Sequence, residues 1–339
     1  MPAGSSFPSR IFEVGCGYRA AKTLLSAIEL GVFTVLAEQP LDAAALTQRL
    51  GLHGRAAADF FDALTALGFL ERSPDGRYAN APEADRYLDR NKPTYIGALF
   101  EQYNGSEYGL WGSLTQALRS GAPQTNIAAT QHYSSFYADP ERLRAFVKSM
   151  TAGSLLAAEA IARQIPWQNY RTVMDIGTAE GCLPVAVARA HPHVRGGGFD
   201  LPPVAALFEA YVGEHGLAER LRFFAGDFFE TDLPAADVVV LGRVLHNWDL
   251  DTKRMLLRKA YDALPKGGAL LVYEPFIPED RRSNPASLLS SLNMLLWTSG
   301  GFDFTATDCI AWMREAGFCD MRLEPLIGDQ AMVVGEKPA

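Results

Sequence analysis

The stretch TVMDIGTAEGCLPVAVARAHPHVRGGGFD, residues 172–200, constrains this chain more than any other. An apolar run of strand type stops at a turn marked by Gly177 and Gly181. A helical pattern follows, and a second strand closes on Asp200. Strand, glycine turn, helix and strand open a nucleotide-binding α/β sheet. Glycine lets the backbone turn sharply and approach a ligand. A carboxylate about 20 residues beyond such a turn stands where a ribose is held. The segment predicts an adenosine-type cofactor in the C-terminal half. The competing reading is an ordinary α/β domain whose turn binds nothing.

The glycine spacing narrows the cofactor. A dinucleotide fingerprint counted from Gly177 needs glycines at 179 and 182, where the chain has Ala179 and Cys182. No G-K-[ST] follows, so the turn is not a phosphate-cradling P-loop. A nucleoside without phosphates fits better, and S-adenosylmethionine (SAM) is the usual one. No metal is expected, because the six His show no paired ligand spacing. Cys16, Cys182, Cys309 and Cys319 are scattered without C-x-x-C and suit reduced thiols in a cytosolic protein.

A chain of 339 residues exceeds one typical core and implies more than one domain. No apolar run reaches the roughly 18 residues of a membrane span, and the N-terminus lacks a signal-peptide pattern. The net charge of −8 argues against a nucleic-acid partner.

The N-terminal half reads as helical. Residues 18–37 carry helical apolar spacing broken by Gly31, Asp42 can cap a short helix, and 54–67 forms another ending near Gly68. FLERS and RYANA read as strands around Pro74-Asp75-Gly76. Two helices and a two-stranded wing make a winged helix, a shape often used on DNA. Here the would-be recognition helix offers Arg55 alone against Asp59 and Asp62, so it reads as an interaction surface. The region 91–150 is helical and aromatic-rich (Tyr95, Phe100, Tyr103, Tyr108, Trp111, Phe136, Tyr137, Phe146), suited to core, interface or an apolar pocket.

In the C-terminal half, strands are expected within 221–229, 237–245 and 269–276. Pro202 and Pro203 mark the start of one intervening helix. Another is expected over 249–268, with a basic C-terminal end closed by Gly267 or Gly268. A last helix over 305–318 precedes closing strands near 321–328 and 331–337. The alternation predicts an α/β, doubly wound, mostly parallel sheet that binds ligands beyond the carboxyl ends of its strands. Those ends carry Gly177, Asp200, Asp227, Phe228, Arg243, His246, Trp248 and Glu274.

GFDLPPV, GDFF, GRVLHNWDLD, LPKGGALLVYEPF and SGGFDFT, in that order, resemble the plant-type small-molecule O-methyltransferases and their bacterial natural-product members. The resemblance covers roughly 15–338. It implies a Rossmann-like, class I SAM-dependent fold with three parts. These are a winged-helix-like dimerisation domain (1–105), a helical region contributing to the substrate pocket (106–165) and the SAM-binding catalytic domain (166–339). It further implies a homodimer, with no nucleic-acid or membrane partner. Gly177 and Gly181 would approach the methionine portion of SAM. Asp200 would accept from the ribose, Leu201 and Phe228 would flank adenine, and Asp227 would contact its amino group. Arg243 would lie near the methionine end, and Trp248 would wall the pocket.

His246 is the expected general base. A phenol of pKa near 10 must lose its proton as the methyl bond forms, and an imidazole of pKa near 6.5 suits that task. The resemblance places Glu274 and Asp303 beside it and makes Met294 and Trp297 walls of the acceptor pocket. The chain departs from the family in four places. The glycine turn holds Thr178 and Ala179, Asn247 follows the His where an acid is frequent, Asp303 and Phe304 replace a Glu and an Arg, and Asn293 replaces an Asp. The implied activity is SAM-dependent methylation of a hydroxyl on a small aromatic or secondary metabolite. The alternatives are C- or N-methylation, a SAM-using reaction without methyl transfer, and a winged-helix regulator that senses a ligand.

Overall fold

The structure, a computed structural model, describes residues 8–125, 137–328 and 330–339; Phe136 lies outside the described residues. The chain divides into compact units, Met1–Tyr108 and Gly109–Ala339.

In the first unit, helix Ser9–Leu30 gives way at Gly31 to helix Val32–Glu38. Asp42 caps Ala43–Arg49 by accepting the Ala45 N–H at 2.8 Å. Helix Ala57–Ala66 leads into strands β1 (Leu70–Arg72) and β2 (Tyr78–Asn80), which pair antiparallel as the wing. Phe33, Phe61, Leu64 and Tyr78 fill the core. The Tyr78 hydroxyl donates to Asp62 at 2.7 Å, so this carboxylate serves the wing. Ile11, Val14 and Tyr18 are exposed on the first helix. Their spacing puts them along one stripe.

The second unit is built on a seven-stranded sheet. Its strands are β3 (Thr172–Ile176), β4 (Arg195–Asp200), β5 (Leu221–Ala225), β6 (Val238–Gly242), β7 (Ala269–Glu274), β8 (Cys319–Pro325) and β9 (Ala331–Glu336). The order is β5-β4-β3-β6-β7-β9-β8, parallel except for β9, which runs antiparallel to both neighbours. Such strands are buried on both faces and read as continuous apolar runs. Val238, Val240 and Leu271 pack into one core layer, while Val239, Leu241 and Leu270 pack into the other. That split is the period-two alternation of a strand. The order reverses between β3 and β6, which places a ligand crevice at their carboxyl ends.

One helix expectation is corrected. The helix expected over 249–268 runs Leu250–Ala263 and has no basic residue in its last turn. Pro265 disfavours helical geometry at Leu264, so the helix stops before Lys266, while Arg258 and Lys259 lie ahead of its last turn. Helix Pro140–Gln164 is, among the described residues, the single helix whose length and composition would admit a membrane span. Its Ala157, Ala158, Ile161 and Ala162 instead pack into the core layer beneath the sheet.

Candidate active site

The glycine turn forms despite its substitutions. Gly177 (φ +70°), Ala179 (φ +50°) and Gly181 (φ +89°) all adopt the left-handed region. A Cβ on Gly181 would lie 2.5 Å from the Phe208 ring, so that position requires glycine. Ala179 holds this conformation at a cost of about 1–2 kcal/mol. Its N–H donates to Asp200 Oδ2 at 3.0 Å, which offsets part of that strain. The Thr178 hydroxyl donates to Asp175 at 2.9 Å beneath the turn, and burial pushes the Asp175 carboxyl up to about 7.

Asp200 also accepts the Leu201 N–H at 2.8 Å and the Tyr137 hydroxyl at 3.3 Å through Oδ1. Burial pushes its pKa up to about 6, against the pull of the three hydrogen bonds. At the end of β5, Asp227 accepts the Phe229 N–H at 2.9 Å and remains half-buried. Phe228 and Trp248 meet edge to face with centroids 5.6 Å apart, and Phe229 lies 5.0 Å from Trp248. These rings form an apolar wall at the strand ends. Arg243 takes a left-handed φ of +54° as its N–H donates to the Tyr273 carbonyl at 3.0 Å.

His246 lies on a short 3-10 turn, Leu245–Asn247, just beyond β6. Asn247 fastens that turn by donating from Nδ2 to the Arg243 and Val244 carbonyls, each at 3.2 Å. The residue in place of an acid therefore works on the backbone. The buried imidazole faces Asp303 Oδ1 at 3.1 Å and Glu274 Oε2 at 3.6 Å, both from Nδ1. Glu274 Oε1 accepts the His246 N–H at 3.3 Å. Two carboxylates at Nδ1 favour the tautomer with its proton there, leaving the Nε2 lone pair for chemistry. Burial lowers the affinity of His246 for a second proton, but Glu274 and Asp303 outweigh it and hold the imidazole above its ordinary value. Burial likewise raises the Glu274 carboxyl. The Asp303 N–H donates to Ser291 Oγ at 3.2 Å.

The donor atoms of His246, Glu274 and Asp303 lie within 4.8 Å of one another, a spacing that a divalent cation could bridge. The surroundings fit a cation poorly. The Nδ1 lone pair is used by the proton shared with Asp303, and Lys253, whose Nζ donates to the Trp248 carbonyl, already adds a positive charge that acts on both carboxylates.

Met294 is buried and Trp297 half-buried, three positions apart on helix Pro285–Trp297. Asn293 accepts the Trp111 indole N–H at 3.1 Å, so this position joins that helix to the segment before it. Sequence reasoning missed Tyr137 as a partner of Asp200, Ser291 and Lys253. Lys253 had left a signal, since it precedes the buried Leu256, Leu257 and Ala260 at helical spacing.

Comparison with known proteins agrees with this architecture. Residues 111–319 match the family described as an O-methyltransferase domain, and residues 12–90 match an O-methyltransferase dimerisation domain. A tetracenomycin polyketide synthesis 8-O-methyl transferase from Streptomyces glaucescens is 39% identical over 98% of this chain and 97% of its own. An N,N-dimethyltransferase from Streptomyces rimosus is 37% identical over 97% and 96% of the two chains. The structure of human N-acetylserotonin methyltransferase in complex with SAM superposes with a TM-score of 0.90 at 26% identity, covering 99% of this chain and 100% of that one. The chain belongs to the O-methyltransferase family, as an enzyme with the class I SAM-dependent methyltransferase fold and a dimerisation domain.

Proposed function

We propose that this enzyme methylates a hydroxyl of a small aromatic secondary metabolite, with His246 as general base. The observation that carries the reading is the buried imidazole, whose Nδ1 is held by Asp303 and Glu274. When bound, SAM supplies an electrophilic methyl group on a sulfonium. Gly177, Gly181 and Arg243 would hold its methionine portion, Asp200 its ribose hydroxyls, and Leu201, Asp227, Phe228 and Trp248 its adenine and the pocket wall. The left-handed turn and the half-buried Asp200 suit that role: a hydroxyl donor compensates a carboxylate that partial burial otherwise penalises.

In the reaction, Nε2 takes the acceptor's hydroxyl proton, and the resulting imidazolium is stabilised by the two carboxylates. The Phe228–Trp248 wall excludes water, and Met294 and Trp297 wall the acceptor. No metal is assigned, because the proton that Nδ1 shares with Asp303 occupies the lone pair a cation would need. Homodimerisation is assigned to the N-terminal unit, whose Ile11, Val14 and Tyr18 stripe calls for a partner. A test is transfer of labelled methyl from SAM to a panel of phenols. His246→Ala should cost about 100-fold or more in kcat, and EDTA should change nothing. Full activity of the variant would refute the base.

The Streptomyces rimosus relative supports a second reading, methyl transfer to an amine. An amine with a free lone pair needs no base to attack, so His246→Ala would then spare transfer to aryl amines.

A further inference from the structure

Lys253 has no accessible surface, although an ammonium is among the costliest groups to bury. Its Nζ donates to the Trp248 carbonyl and lies 3.5 Å from the centroid of the Phe302 ring and 5.4 Å from that of Phe304. Trp248 follows the His246 turn, and Phe302 and Phe304 flank Asp303. One cation therefore touches both segments that carry the acid–base groups.

The same two segments are in backbone contact. A Cβ on Gly301 would lie 2.6 Å from the His246 carbonyl oxygen and 2.8 Å from the Asn247 carbonyl carbon, and one on Gly300 would lie 3.0 Å from Asp249 Cβ. The paired glycines let residues 300–304 lie directly on residues 246–249. The charged groups acting on Lys253 are Glu274 at the end of β7, Asp303 and Asp249; burial lowers the lysine to about 8, which leaves it charged at neutral pH. Arg243 is a cation that acts on the imidazole itself.

We propose that Lys253 is a positioning residue: its buried ammonium fastens the Asp303 segment onto the His246 turn and so sets the Asp303–His246 hydrogen bond. The proposal rests on the general-base reading above and adds the device that holds the base in register. Hydrogen bond to Trp248, cation–π contact to the two rings and attraction to the carboxylates act together.

The test is an NMR titration of the His246 ring in the whole chain, its resonance assigned with His246→Asn. Lys253→Met should lower the His246 pKa by about 0.5 unit or more, in the same direction as Asp303→Asn. The double variant should fall within about 0.2 unit of Asp303→Asn alone, because a displaced Asp303 and a neutral one remove the same interaction. Phe302→Leu, which keeps the buried charge, should give a smaller shift of the same sign and covers the case where Lys253→Met does not fold. The melting temperature of Lys253→Met should equal or exceed that of the parent, since an isosteric apolar side chain removes a buried charge. An unchanged or raised His246 pKa, or shifts that simply add, would overturn the proposal. If His246→Ala retains phenol methylation while these titrations remain coupled, the base assignment fails and the positioning role stands.

Discussion

The proposed cofactor rim and the proposed acid–base cluster lie at neighbouring strand ends of one sheet but are built by different means. The rim is local. Ala179 and Asp200 are 21 residues apart in one strand–helix–strand unit, and most of the contacts are backbone N–H groups donating to a carboxylate. The cluster is assembled at long range. His246 and Asp303 are 57 residues apart, Glu274 comes from another strand, and every contact on Nδ1 is a buried side chain. Backbone donors are supplied by any residue, which is why the turn survives Thr178 and Ala179. A buried charge cluster has no such substitutes, so each member must be individually correct.

That contrast can be broken most sharply at Asp200. Asp200→Ala should weaken S-adenosylhomocysteine binding about 100-fold or more by isothermal titration, since two hydrogen bonds to an ionised group are lost at about 1.5–3 kcal/mol each. Tight binding by the variant would remove the carboxylate from the ribose role. In the cluster the effect should fall on the other parameter. Asp303→Asn should lower kcat about 10- to 100-fold, because the imidazolium loses a charged partner, and leave S-adenosylhomocysteine affinity within about threefold of the parent. An affinity loss as large as the rate loss would merge the two regions into one.

The same contrast explains what the sequence revealed. The positions of the strands, the two-stranded wing and the glycine turn were legible because turn chemistry and apolar runs are local signals. The role of Asn247 was not, since nothing in L-H-N-W says that an amide will bond to the Arg243 and Val244 carbonyls. His246 and Glu274 were placed at strand ends by the pattern, but Asp303 and the pairing of the three were reached only through family resemblance, because their meeting depends on how three segments pack. Lys253 was read only as one residue of the helix over 249–268, with no role of its own. Pro265 shortens that helix, and the spacing of Lys253 to Leu256 and Leu257 turns it inward. A charged residue in register with an apolar stripe was the available sign.

A pH titration sharpens the comparison at the rim. Burial raises Asp200 to about 6 in the ligand-free protein. A raised carboxyl binds its proton more tightly in the folded than in the unfolded state, so burying its charge costs stability at neutral pH, and that cost disappears as pH falls below about 4. Ribose hydroxyls favour the ionised form and should lower this pKa on binding. S-adenosylhomocysteine affinity should therefore weaken as pH falls through about 6, by up to about tenfold per unit. Affinity that stays flat from pH 7.5 to 5 would show that Asp200 is not coupled to the ligand.

The smallest effect tests whether the rim is as tolerant as its construction implies. Ala179 sits at φ +50°, where an L-residue is strained and glycine is not. Ala179→Gly removes that strain but gives the unfolded chain more freedom, and the net gain should be about 1 kcal/mol or less. Such a gain corresponds to a rise in melting temperature of about 2–4 °C for a domain of this size. Affinity for S-adenosylhomocysteine should change little, because the Ala179 N–H already points at Asp200 in the strained turn. A lower melting temperature would mean that the alanine methyl contributes packing worth more than the strain. A large gain in affinity would mean that the strain is relieved only when the ligand leaves, and the turn would then act as a spring on cofactor release.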